Sequence, residues 1–373
     1  MNMAGVIFSN LFDEYFGVLT KNRTVASLPF GGRYRFIDFI LSNMSNSNVT
    51  NVGIITKYNY NSLMDHLEST SEWDFNRKNG GVFILPPFST GITTLYHGKL
   101  EALFSAIEFL EKLTQEYVVL SDSTVLCNID YEDALDTHLK SGKDLTVITH
   151  RVPSNCSKKY ALLIKADDNK NVTDLIVDYP AMEDGELAGM GMYIMERVQL
   201  ITAIKDAIAK GRHHLEKDFF QKEFNEGKIG VNYYEFRGSV LCNTNISSYY
   251  DNNLRLITDE KLKRDLFDAR RPIFTKIRDE VPTYYGKGAQ PDNCLIADGC
   301  RIFGSLYNSV LFREVKIGSG AIVKNSIIMQ GSEIGEGCVI ENAILDKNVT
   351  ITPGVKLTGA RNAPIIIEKG EIV

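Results

Sequence analysis

The 373-residue sequence has no apolar run approaching the ~20 residues needed to span a bilayer. It has no close cysteine pair of the kind that zinc sites and thioredoxin-like motifs use. The six cysteines (Cys127, Cys156, Cys242, Cys294, Cys300, Cys338) are scattered. No signal-peptide pattern opens the chain, so reduced thiols in a cytoplasm are expected. Positive charge is also short. The formal net charge of -6 argues against nucleic acid or an anionic membrane as the main partner. What remains is an ordinary globular composition, 44% hydrophobic and 24% charged, on a length that suggests two domains.

The stretch Pro29 to Asn43, P-F-G-G-R-Y-R-F-I-D-F-I-L-S-N, combines a Gly31-Gly32 turn, two arginines and an acid at the head of an apolar run. Glycines let backbone approach a ligand, Arg33 and Arg35 suit phosphate, and Asp38 is placed to cap a helix begun by Phe39 to Met44. The same residues also suit a plain β-to-α connection with solvated arginines. Around this stretch, Met3 to Phe8, Val52 to Thr56, Tyr117 to Leu120 and Leu145 to Val152 are apolar runs of buried-strand type. They alternate with helical spacing over Ser62 to Leu67 and Gly98 to Leu113, the pattern of a doubly wound α/β sheet. Ligands of such sheets bind beyond the strand carboxyl ends, where Ser121-Asp122-Ser123-Thr124 falls. A lone Asp122 there reads as an Asx-turn or cap ahead of a metal ligand. Further on, Tyr160 to Lys165 with Asp174 to Tyr179 predicts an edge hairpin and Ala188 to Met195 a glycine-punctuated strand. Arg197 to Lys210 and Lys217 to Glu226 predict helices, and Ser247 to Asp279 a helical linker.

The tail follows a different rule. Asn308-Ser-Val-Leu, Asn325-Ser-Ile-Ile and Asn342-Ala-Ile-Leu recur every 17 residues, as do Ile317-Gly-Ser-Gly, Ile334-Gly-Glu-Gly and Ile351-Thr-Pro-Gly. Ile296-Ala-Asp-Gly is an earlier copy, out of step. After each phrase comes a slim residue and then an aliphatic one: Cys300 and Ile302, Ala321 and Val323, Cys338 and Ile340, Val355 and Leu357. A three-sided coil would stack these aliphatics in columns with glycines at corners, a parallel β-helix.

Together these features resemble the bacterial glucose-1-phosphate adenylyltransferase (ADP-glucose pyrophosphorylase) family along nearly the whole chain. Pro29 to Asn43 matches its F-G-G-x-x-R-I-I-D-F-x-L-S-N, Val52 to Tyr58 and Ser62 to His66 match the continuation, and Ala188 to Tyr193 matches A-S-M-G-I-Y. The resemblance implies a Rossmann-like α/β nucleotidyltransferase domain over 1–245, a helical linker over 246–288 and a left-handed parallel β-helix over 289–373. It also implies a reaction, ATP plus glucose-1-phosphate giving ADP-glucose and pyrophosphate for glycogen synthesis.

The departures fall where that chemistry needs charge. Catalytic members open with G-G-x-G-x-R-L, whose amides cradle the triphosphate; this chain has Ser9 to Gly17, S-N-L-F-D-E-Y-F-G. The lysine of R-A-K-P is replaced by Val25, and Y-x-G-T-A-D-A reads Tyr96-His97-Gly98-Lys99-Leu100-Glu101-Ala102. The metal aspartate of G-D-H falls on Thr124, with Asp122 two positions early. The sugar-phosphate lysine becomes Tyr179, and the second metal aspartate becomes Cys242. Losing one such stabiliser removes on the order of a hundred- to a thousandfold in rate. The chain is therefore similar to the family's non-catalytic D-type regulatory subunit. On that resemblance no residue is catalytic and no cofactor is required. The expected partner is a catalytic subunit in a mixed tetramer, and Arg23, Gly31, Gly32, Arg33, Arg35 and Arg361 are the candidates for binding an anionic effector. The competing expectation is a weakly active transferase using magnesium on Asp122 and Asp178. An acyltransferase coil is disfavoured, since such sites use a histidine between coils and the tail from Cys294 has none.

Overall fold

A computed structural model describes residues 2–68, 70–78, 80–87, 96–152, 162–178 and 183–373. Cys156 and Tyr179 lie outside the described residues. Four strands, β1 (Met3–Phe8), β2 (Asn51–Ile55), β3 (Gly81–Leu85) and β4 (Tyr117–Asp122), run parallel in the order β4-β1-β2-β3. Every residue of β1 is buried, as the unbroken run M-A-G-V-I-F requires of a strand covered on both faces. The sheet continues through β5 (Leu145–Arg151), β6 (Leu162–Ala166), β7 (Val172–Val177), β8 (Leu187–Glu196) and β9 (Val231–Glu235). The long strand β8 joins the halves: it runs antiparallel to β4, β5 and β6, with a bulge between Gly189 and Met192. β6 and β7 form the expected edge hairpin.

Local structure departs from the periodicity in three places. Helix α1 spans Phe36–Asn46, starting before Phe39, so Asp38 lies inside its first turn and accepts from the backbone N–H of Arg35 at 2.9 Å. It closes the helix start from within, in the manner of a capping-box acid. The segment after Gly98 is two short helices, Lys99–Ser105 and Ile107–Lys112, broken at Ala106. Leu215–Gln221 winds as a π-helix and only Lys222–Asn225 is α-helical.

Two helices, Ile246–Thr258 and Glu260–Leu266, capped by Asn245 and Asp259, carry the chain to the coil. The first coil strand is Tyr284–Tyr285, inside the expected linker. The tail is a three-sided parallel β-helix of three five-stranded sheets. Ile317, Ile334 and Ile351 form one column, and Val323, Ile340 and Leu357 another. The first turn is shorter: Ile302 pairs with Ile317, a step of 15, so it joins that column instead of Val323's, and the out-of-step Ile296 falls on a different side. Gly299, Gly320, Gly337 and Gly354 take left-handed φ of 75°, 70°, 64° and 81° at corners, and Asn308, Asn325 and Asn342 take 45°, 44° and 50°.

The two domains share one apolar core. Phe16, Val25, Phe30, Phe36, Tyr249 and Leu256 pack with Val310, Ile327, Met329 and Ile344 of the coil. Burying each such side chain stabilises by about 1.5–3 kcal/mol. Within this core the Arg23 Nη2 donates to both carboxylate oxygens of Asp346 at 2.7 Å, in an almost solvent-free pair.

Candidate functional site

The hairpin Pro29–Phe30 with Tyr34–Arg35 turns on Gly31 and Gly32, with φ of 59° and 80°. A side chain at Gly31 would meet Leu256 and one at Gly32 would meet Leu295, so both glycines serve close approach to the coil and its linker. The hairpin forms one wall of an interdomain cleft. Arg33, Arg35, Lys276, Arg278, Arg313 and Lys347 line it together with His66. Six basic side chains thus converge in a chain whose net charge is -6. Among the described residues Arg33, Arg278 and Lys347 make no ion pair, whereas Lys276 bonds Glu68 at 2.5 Å.

The groups are fixed from below. The Arg35 Nη1 donates to the carbonyl and hydroxyl oxygens of Ser62, at 2.6 and 3.1 Å, which aims the guanidinium. Burial, against the pull of Asp38, brings its pKa down to about 10. Burial also lowers the pKa of His66, so the ring is neutral near pH 7 and its Nε2–H donates to Asp38 at 2.6 Å. Burial and then repulsion by Arg35 and Arg23 bring Lys347 down to about 7. A pocket of mutually repelling cations is one that an anion relieves.

Of the residues expected to bind an anion, Gly32, Arg33 and Arg35 line this cleft, with Gly31 in the turn beside them. Arg23 is held by Asp346 instead, and Arg361 is exposed on the last turn of the coil, outside the cleft lining. The coil contributes residues that composition alone did not single out. Arg313, Gln330 and Lys347 lie 17 residues apart, as do Met329 and Asp346, so the repeat itself stacks one column on the cleft and sets two residues of the next on Arg23.

At the carboxyl ends of β1 and β4 the picture is different. Ser9 to Phe12 is a bend leading into a 3-10 helix over Asp13–Thr20, and the Asp13 carboxylate accepts from the Val25 N–H at 2.8 Å and from Asn10 Nδ2 at 2.6 Å. Burial pushes the Asp13 carboxyl up to about 7. Val25 itself is fully buried in the interdomain core. The backbone carbonyl of Thr124 accepts from Asn243 N–H at 2.9 Å, while Cys242 packs among Val152, Leu163 and Ala188.

Asp122 is neither an Asx-turn nor a cap. The Lys99 ammonium lies 2.8 Å from Asp122 Oδ1 and 2.5 Å from Glu216 Oε1, and the Tyr193 hydroxyl donates to Glu216 at 2.9 Å. Asp178 directly follows β7, three strands from β4 in the sheet order, or about 14 Å at ~4.8 Å per strand. That separation is too wide for Asp122 and Asp178 to share one magnesium ion, and Asp122 and its neighbour Glu216 already hold the Lys99 ammonium between them. The residues present do not fit the metal that the family's reaction implies.

An α/β sheet of this order docked through a cationic cleft onto a parallel β-helix defines a nucleotidyltransferase-type chain with a hexapeptide tail. The family models agree: residues 17–251 match the nucleotidyl transferase family, and residues 281–362 match the GlmU-like C-terminal hexapeptide region, which makes the coil left-handed. The chain is 34% identical to glycogen biosynthesis protein GlgD of Bacillus subtilis over 373 residues, covering 99% of this chain and 96% of that protein. It is 36% identical to GlgD of Geobacillus stearothermophilus, covering 99% and 97%. It is also 32% identical to glucose-1-phosphate adenylyltransferase of Thermosipho melanesiensis, covering 87% and 78%. The chain belongs to the GlgD family, a branch of the nucleotidyl transferases that resembles glucose-1-phosphate adenylyltransferase.

Proposed function

We propose that the chain is a regulatory, catalytically deficient subunit of glucose-1-phosphate adenylyltransferase in glycogen biosynthesis. It assembles with a catalytic homologue in the cytoplasm, as a mixed tetramer, and modulates the conversion of ATP and glucose-1-phosphate to ADP-glucose and pyrophosphate. One observation carries this reading: the scaffold is intact while the charges of transfer chemistry are replaced, by Val25 in an apolar core, Thr124 and Cys242 in a packed corner, and a lysine on Asp122. Transfer of a nucleotidyl group depends on positioning and charge stabilisation, so a face without them has little to offer chemistry.

The regulatory role rests on the cleft. An anionic metabolite of the sugar-phosphate class bridging Arg33 and Arg35 of one domain to Arg313 and Lys347 of the other would bias how the domains sit. The test is co-expression with a catalytic homologue, followed by sizing and by assay of each chain alone and together. The expected result is a mixed assembly, no ADP-glucose from this chain alone, and altered activity or effector response of the catalytic chain in its presence. Turnover by this chain alone at a catalytic subunit's rate refutes the proposal.

A further inference from the structure

The family's metal does not fit at β4, and the reason is specific. Lys99 stands where the resemblance has threonine, and its side chain is enclosed. Its Nζ faces both oxygens of Asp122, at 2.8 and 2.9 Å, and Glu216 Oε1 at 2.5 Å. The rings of Phe8 and Tyr193 close the shell, with centroids 5.5 and 5.4 Å from the nitrogen. Three carboxylate oxygens and two π faces are a coordination sphere for a cation.

The backbone is shaped around it. Gly191, at φ 68°, leaves room for Asp122: an added Cβ would lie 2.3 Å from its Oδ2. Gly98 packs against the His213 carbonyl, and the Leu100 N–H bonds that carbonyl at 3.1 Å, which ties the lysine's helix to the segment bearing Glu216. The π-helical turn at 215–221, a feature that re-aims side chains, carries Glu216 inward. Burial opposes charge on Lys99, but Asp122 and Glu216 more than offset it and keep the amine protonated. The two carboxylates still exceed the ammonium by one charge.

We propose that Lys99 is a tethered cation filling a latent divalent-cation position formed by Asp122 and Glu216, which closes this face of the sheet to metal and to metal-nucleotide complexes. The proposal concerns this chain alone and holds or fails whether or not it assembles with a catalytic partner. Removing the lysine leaves two carboxylates facing the vacated space with no cation between them, a charge that a divalent ion bound directly to their oxygens would offset.

The experiment is Mn2+ binding to the full chain, read by loss of the free-ion electron paramagnetic resonance signal. Lys99→Ala is expected to gain one Mn2+ site at least about tenfold tighter than any on the natural protein, and adding Asp122→Asn or Glu216→Gln should remove it. Mn2+ or propylammonium should also raise the melting temperature of Lys99→Ala and leave that of the natural protein unchanged. If Lys99→Ala purifies unfolded, refolding with the same cations decides: recovery supports the proposal and no recovery overturns it. A folded Lys99→Ala that binds no Mn2+ overturns it too, as does an Asp122→Asn-sensitive Mn2+ site in the natural protein.

Discussion

Replacing Arg23 by methionine keeps most of the side-chain volume but removes the cation from a pair whose members are 4% and 2% exposed. The Asp346 carboxylate would then keep an electrostatic interaction with Lys347 but lose the guanidinium that pairs both of its oxygens. Breaking a buried pair by deleting one partner costs about 3–5 kcal/mol, chiefly because the other charge is left uncompensated. Replacing both, as Arg23→Met with Asp346→Leu, removes the stranded charge and should return most of the loss, giving a coupling of about 2–3 kcal/mol. Urea unfolding measures this well, because the single tryptophan, Trp73, is buried in the α/β domain while far-ultraviolet circular dichroism also sees the coil. In Arg23→Met the two transitions should separate as docking weakens, and in the double variant they should coincide again. A loss under about 1 kcal/mol in the single variant, or a double variant as unstable as the sum of the singles, refutes the reasoning.

Two further outcomes are expected. Gly191→Ala should lose about 2–4 kcal/mol, since it combines strain at φ 68° with a Cβ 2.3 Å from the Asp122 carboxylate; a calorimetric change below ~0.5 kcal/mol would contradict that geometry. Sulfate, whose charge is constant near neutrality, should bind the cleft best below about pH 6. Lys347, held down near 7, carries its charge below that value and loses it above, so affinity should fall by up to about tenfold per pH unit above 7. In titration calorimetry Lys347→Gln should bind more weakly and show no such slope, while a slope that survives the substitution assigns the proton to another group.

Much of the molecule could be read from residue order, because the forces involved are local or periodic. Apolar runs such as Met3–Phe8 have few ways to be satisfied except as covered strands. The 17-residue repeat specifies a coil, since only stacking in register buries Ile317, Ile334 and Ile351 together. That Val25, Thr124 and Cys242 are uncharged was equally legible, being a matter of residue type. The π-helical turn and the break at Ala106 were not, because both are set by packing against neighbours.

The sites needed the tertiary structure. Arg23 and Arg35 look alike as basic residues beside a glycine turn, yet one is neutralised by an acid 323 positions away and the other opens on the cleft. Lys276, Arg278, Arg313 and Lys347 come from a linker and two turns of the coil, and only docking makes them one positive surface. Lys99 and Glu216, 117 residues apart, have no meaning singly in the sequence. Sequence thus determined the scaffold and the uncharged residues at 25, 124 and 242. The fold decided which charges are paired, which line the cleft, and that Lys99 sits between Asp122 and Glu216, because charge compensation acts between neighbours in space.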